Sequence, residues 1–254
     1  MAEPVVLSGS SLNTFLECAA LWELTYVRSL KRPPSLKMAL GTSGHAAAEV
    51  DLTQKITTHQ DLPEDVVLDA FRDSFVKESH DSPELPAKKE TKPIFLDSGI
   101  AAMKVWHKDV APTVQPTMVE EPVQFRINSI PYSGTIDLVD DQERVRDWKF
   151  VGKKPSPRDQ KYVLNMTGYA IGYREKTRLV EKGVILDHIV RTKKPYHFPV
   201  ESPTPVPDES IFAFADIVKT SHDAIQAGSF PPTGIRSGRC SYCPFRGQEC
   251  RYTR

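Results

Sequence analysis

An α/β fold, with a sheet core flanked by helices, is predicted for this chain of 254 residues by three observations. Apolar residues recur at helical spacing as far as about Pro116 and alternate beyond it. That alternating region leads into a long helical pattern and then an apolar strand pattern, Gly183 to Val190. The four cysteines are lopsided: Cys18 stands alone near the start, and Cys240, Cys243 and Cys250 fall within the last fifteen residues, a spacing that suits a metal or iron–sulfur site stapling the two ends together.

Taken in order, Ser10 or Ser11 can cap a first helix whose apolar positions Leu12, Phe15, Leu16, Ala19 and Trp22 follow helical spacing, with Cys18 inside it. Pro33-Pro34 breaks the chain. A second helix from about Leu36 past Glu49 sets His45 and Glu49 four apart on one face. Leu62 to Ser79 reads as a helix, the proline- and charge-rich Ser82 to Pro93 as an exposed connector, and Ile94 to Val110 as another helix. Candidate strands Met118 to Asn128, Tyr132 to Val139 and Arg144 to Phe150 then form an antiparallel meander. A helix from about Pro157 to Leu179, the strand Gly183 to Val190, a proline-rich stretch Glu201 to Pro207 and a helix to about Ala227 complete the order. The expected organisation is one domain over 1–254, with a helical elaboration over about 30–115 and a sheet core over 116–192.

Composition narrows the function. No apolar run approaches the length needed to cross a bilayer, and the start lacks a basic segment leading into an apolar one, so a soluble, cytosolic protein without membrane partners is expected. A reducing cytosol argues against disulfides as the purpose of the thiols. The 33 basic residues balance the 33 acidic ones, so a nucleic-acid ligand requires a local basic groove.

The chemistry concentrates in the meander. Asp137 lies in Ser-Gly-Thr-Ile-Asp-Leu-Val and Asp147 in Asp-Trp-Lys, with a polar turn of Asp140, Asp141 and Gln142 between them. Alternation puts Asp147 and Lys149 on one face and Trp148 on the other. An odd turn directs Asp137 to the same face, diagonally across from Asp147; an even one splits them. Two such carboxylates repel unless a cation lies between them, which predicts a divalent ion on oxygen ligands. A lysine beside it can orient an attacking water or accept its proton while the cation stabilises charge developing on a phosphate. Each piece also has a plainer reading. Asp-x-Lys on a strand is commonly a solvent-facing ion pair, His45 has only Glu49 as local partner, and a structural zinc uses the same thiolates as an iron–sulfur cluster.

Together the parts resemble the PD-(D/E)XK nuclease superfamily in its RecB-like, iron–sulfur branch, to which the AddB nuclease domain and the CRISPR-associated adaptation nuclease belong. The resemblance runs through Ser8-x-Ser10, Cys18, Gly41-Thr42-Ser43-Gly44-His45, Gly134-Thr135-Ile136-Asp137, Asp147-Trp148-Lys149, Tyr169 and the three late cysteines. It implies a restriction-endonuclease-like core with a C-terminal iron–sulfur staple. His45, Asp137, Asp147 and the Trp148 backbone carbonyl would hold Mg2+ or Mn2+, Lys149 would be catalytic, and a [4Fe–4S] cluster would sit on Cys18, Cys240, Cys243 and Cys250. The family's glutamine four residues before the tyrosine is replaced by Asn165, a shorter amide with the same donors and acceptor; Asn165 and Tyr169 are expected to support the site, with Gln160 as a fallback. Lys153, Lys154, Arg158 and Lys161 follow the catalytic lysine and are the expected DNA contacts. Trp22 and Tyr26 can stack on bases or, at helical spacing, fill the core.

The expected activity is a metal-dependent exonuclease on single-stranded DNA ends, 5′ to 3′ by analogy, serving recombination or DNA repair, alone, as a homo-oligomer or with a helicase partner. The alternatives are an endonuclease trimming DNA inside a CRISPR-adaptation or helicase complex, and a non-catalytic, zinc-stabilised DNA-binding module.

Overall fold

The computed structural model describes residues 5–31, 33–88, 90–156 and 161–253. A two-residue strand, β1 (Leu7–Ser8), runs directly into α1 (Gly9–Glu17). Ser8 itself is the cap, its hydroxyl accepting the Ser11 N–H at 3.3 Å, so the cap lies two residues before the earliest one expected. Cys18 is not inside a helix either. It is extended (φ −164°, ψ 107°) and separates α1 from α2 (Ala19–Trp22), which passes into a π-helical turn, Glu23–Val27. The break is satisfied from afar, since the Ala20 N–H donates to the carbonyl of Pro231.

Three helices form the first layer. Ser35 caps α3 (Leu36–Thr58) by accepting the Met38 N–H, and His59, left-handed at φ 58°, ends it. α4 (Glu64–Glu78) carries Glu64 and Asp65 in its first turn and Lys77 in its last, matching the helix dipole, and α5 (Lys92–Asp109) has proline in its first turn. Their apolar faces meet in one core that includes Leu40, Leu52, Phe71, Met103 and Trp106.

The sheet is built around β3. β2 (Pro116–Ile127) and β3 (Ile130–Asp140) form a long antiparallel hairpin closed at Ile127 and Ile130 by Asn128 and Ser129, both at positive φ as a two-residue turn matching the strand twist requires. β4 (Arg144–Val151) returns antiparallel to β3, and Asp140 shapes that turn by accepting the N–H groups of Gln142 and Arg144. α6 (Lys161–Thr177) crosses over to β5 (Gly183–Val190), which lies parallel to β4 along its whole length. β6 (Tyr196–Ser202) pairs antiparallel with β5, so the sheet extends past residue 192. Alternation does not reveal β6, an edge strand that contains Pro199 and exposes much of itself.

α6 and α7 (Asp208–Gln226) cover the other sheet face with α1, burying Leu12, Trp22, Met166, Tyr173, Phe214 and Val218 against it. Trp22 is thus core, its indole N–H donating to Ser11, with the half-exposed Tyr26 stacked on it. The last elements are α8 (Gly234–Ser237) and a short 3-10 turn, Arg239–Tyr242. Among the described residues no helix is long and apolar enough to cross a membrane.

Candidate active site

One edge of β3 changes partner along its length. Near its start it pairs with β1 at Tyr132 and Ser133, and near its end with β4 at Leu138 and Val139. Asp137 lies between these two ladders, where the strands have parted. Continuing the register Leu138↔Arg146 by one step places Asp147 opposite Asp137, not diagonal to it, because the turn Asp141 to Glu143 is odd in number. α3 delivers His45 to the same gap. Gly44, one residue earlier, allows that approach: a Cβ there would lie 2.2 Å from the Phe150 ring on β4. The His45 ring also lies 5.6 Å from that of Trp148, which packs on Trp106 in the helical core, so the tryptophan between Asp147 and Lys149 supports the histidine from behind.

Ligand atoms of His45, Asp137 and Asp147 all lie within 4.8 Å of one another, the one such group among the described residues. His45 Nδ1 is 3.2 Å from Asp137 Oδ2, and Lys149 Nζ is 2.6 Å from Asp147 Oδ1. Asp147 is fully buried, and burial followed by the neighbouring Asp137 charge holds its carboxyl well above the ordinary range. Burial raises Asp137 as well, opposed by a hydrogen bond from Asp147, by Lys149 and by the Trp148 backbone N–H. N–H and C=O of one strand residue face the same edge, so the Trp148 carbonyl is directed toward the parted strands too. The Oδ2 atoms of both aspartates are buried without a hydrogen-bond partner. One imidazole nitrogen, two paired carboxylates and orphaned buried oxygens fit a hard divalent cation.

Two clefts meet at Lys149 and Ser10. One, of about 560 Å³, is lined by Asp137 and Lys149 together with neutral groups including Gln124, Ser133, Thr135, Asn165 and Tyr169, with Ser8 and Gly9 at the start of α1. The other, of about 700 Å³, is lined by His45, Glu49, Glu120 and Phe150. Burial and then the charges of Asp147 and Asp137 raise the Tyr169 hydroxyl. Asn165 is a brace: its Oδ1 accepts from Asn13 Nδ2 at 2.8 Å, and a Cβ on Gly9 would come within 2.8 Å of the same oxygen. Gln160 and Arg158 lie outside the described residues, as does the side chain of Lys161 at the start of α6. Lys153 and Lys154 are exposed beyond β4 and line neither cleft, with Lys154 Nζ 4.1 Å over the Phe198 ring.

Glu120 was not anticipated from sequence. It faces the site from β2, with Oε1 3.7 Å from His45 Nδ1. Its only local signal is the Glu120-Glu121 pair interrupting an otherwise alternating strand.

The cysteines gather at the opposite end of α1. Cys18, Cys243 and Cys250 share a small apolar cluster with Leu21, Leu24 and Phe245, and all four thiols are free. Burial and then the charges of the neighbouring Cys18, Cys243 and Cys250 raise the Cys240 thiol. A Cβ on Gly234 would lie 3.0 Å from Cys18 Sγ.

Residues 6–250 match the PD-(D/E)XK nuclease superfamily. The fold is similar to the crystal structure of a provisionally named exonuclease from Eubacterium rectale, with a TM-score of 0.62 at 11% identity, covering 98% of this chain and 88% of that one. A second solved structure, of SSO0001, is 10% identical over 93% of both chains, with a TM-score of 0.38 that is too low to carry an argument. No curated protein matches.

Proposed function

This chain belongs to the PD-(D/E)XK nuclease superfamily, and on that footing we propose that it is a divalent-metal-dependent deoxyribonuclease acting as an exonuclease on single-stranded DNA ends, in recombination or end processing. The observation that carries the reading is the convergence of His45, Asp137 and Asp147 within 4.8 Å, with Lys149 on Asp147. His45, Asp137, Asp147 and the Trp148 carbonyl would hold Mg2+ or Mn2+, which supplies Lewis acidity toward the phosphate and toward an attacking water. Asp147 holds the Lys149 ammonium at the meeting point of the clefts, where Nζ can orient that water and offset charge on the phosphate. The cleft that runs from Asp137 and Lys149 past neutral groups suits the strand, because its hydroxyls and the start of α1 offer hydrogen bonds to phosphate oxygens. Tyr169 lines that cleft beside the aspartates, and Asn165 holds α1 in place to form it.

The cysteine lobe is read as a [4Fe–4S] site on Cys18, Cys240, Cys243 and Cys250, as in the RecB-like branch. The nearness of the Cys18, Cys243 and Cys250 thiols to that of Cys240 supports that reading.

The test is cleavage of end-labelled linear and matching circular single-stranded DNA with Mn2+, with Lys149→Ala alongside. Loss of the linear substrate alone, slowed about 10²–10³-fold in the variant, is expected. Cutting of the circle would favour the endonuclease reading. No cutting of either would overturn both.

A further inference from the structure

Among the described residues, Glu120 is the one acid at the site that neither the β3–β4 hairpin of Asp137 and Asp147 nor α3 supplies. The flanking pairs Val119↔Leu138 and Glu121↔Ile136 set it across the ladder from Asp137. Its own backbone is left-handed, at φ 45°, which a side-chain-bearing residue adopts in mid-strand only when the surroundings impose it. Its Oε1 is buried with no hydrogen-bond partner and lies near the same histidine nitrogen that Asp137 Oδ2 faces. A buried carboxylate oxygen in that condition costs stability unless something else satisfies it. The fully buried Asp147, whose Oδ2 is likewise orphaned, points to the same absent partner.

We infer that Glu120 is a further carboxylate of the cation site, contributed by β2 opposite Asp137 and holding the ion either directly or through a water. The inference rests on the nuclease reading above. Residues directly opposite across an antiparallel ladder share a face, so this register sets Glu120 beside Asp137, and it does so at a backbone angle that carries strain. His45 then lies between two acids from adjacent strands, and the site closes from four elements, α3, β2, β3 and β4.

The experiment is titration of the metal-free protein with Mn2+, followed by calorimetry and by the electron paramagnetic resonance signal of the free ion, for the parent, Glu120→Gln, Asp147→Asn and Glu49→Gln. Glu120→Gln keeps the shape and removes the charge, and should bind Mn2+ about 10–100-fold more weakly. Glu49→Gln, which removes a cleft-lining acid from the same helix face as His45, should change binding far less. Glu120→Gly serves as a second variant: it relieves the left-handed backbone, so it should melt no lower than the parent without cation and still bind poorly. A parent that binds while Glu120→Gln binds equally well overturns this inference alone. Equal weakening in Glu49→Gln and Glu120→Gln overturns it too, as a diffuse field effect. A parent that does not bind, or Asp147→Asn binding like the parent, overturns the cation reading itself and this inference with it.

Discussion

Around Asp147 the chain is held by long elements on every side: a full-length parallel ladder to β5, the hairpin through β3, and α3 packed by Gly44 against Phe150. Around Cys240 it is held by a four-residue helix, a 3-10 turn and an apolar cluster of a few side chains. The first region is assembled by the apolar packing of both sheet faces and then forces like charges together in its interior. The second brings four thiols together with little apolar surface to keep them there. On the proposed readings scaffold precedes ion in one and follows it in the other, so removing a ligand side chain should have opposite consequences for stability.

The largest effect expected is in the cysteine lobe. On the proposed [4Fe–4S] reading, replacing Cys240 with alanine should abolish iron binding and lower stability by several kcal/mol, on the order seen when metal binding is itself folding free energy. Iron analysis with thermal melting checks this, and a variant that keeps both its iron and its melting temperature would break the comparison. Mn2+ binding at the carboxylates should persist in the variant at temperatures where it remains folded.

The carboxylate site should respond in the other sense. The folded values of Asp147 and Asp137 lie above the ordinary value of about 3.9. Between that value and the raised ones the folded state holds more protons than the unfolded state, so their contribution to stability is lost as pH rises through the window. Without cation, Asp147→Asn should therefore be about 1–3 kcal/mol more stable than the parent at neutral pH, with the gain shrinking toward about pH 4. Mn2+ at 100 times its Kd should raise the parent by about 2.7 kcal/mol and the variant far less. Melting across pH, with and without Mn2+, decides it.

Two glycines in α3 sharpen the point at smaller scale. Gly44→Ala drives a methyl into Phe150 and should cost about 1–3 kcal/mol while displacing His45 and weakening Mn2+ binding. Gly41→Ala meets nothing within 4 Å and should stabilise the helix by about 0.4–1 kcal/mol. Equal effects from both would mean that packing on β4 does not position His45.

Much of this was legible in the residues. The alternation of β4 and the Asp-x-Lys spacing determine that Asp147 and Lys149 share a face, because strand periodicity acts within a few residues; Asp137 joins them because the turn after Asp140 is odd, a parity that the residues left open and the register decides. The clustering of Cys240, Cys243 and Cys250 is equally local. What only the tertiary structure decided depends on contacts between distant segments. Cys18 leaves the helix where a carbonyl from Pro231 accepts the Ala20 N–H, and Asn165, which lines the cleft, also braces α1 because Asn13 and Gly9 meet it. β6 exists because β5 offers it an edge. Glu120 enters the site through a left-handed bend that no propensity favours, held by pairing with a strand whose facing residue is Asp137. Periodicity is written in neighbouring residues, whereas the approach of one element to another is set by the packing of the whole core.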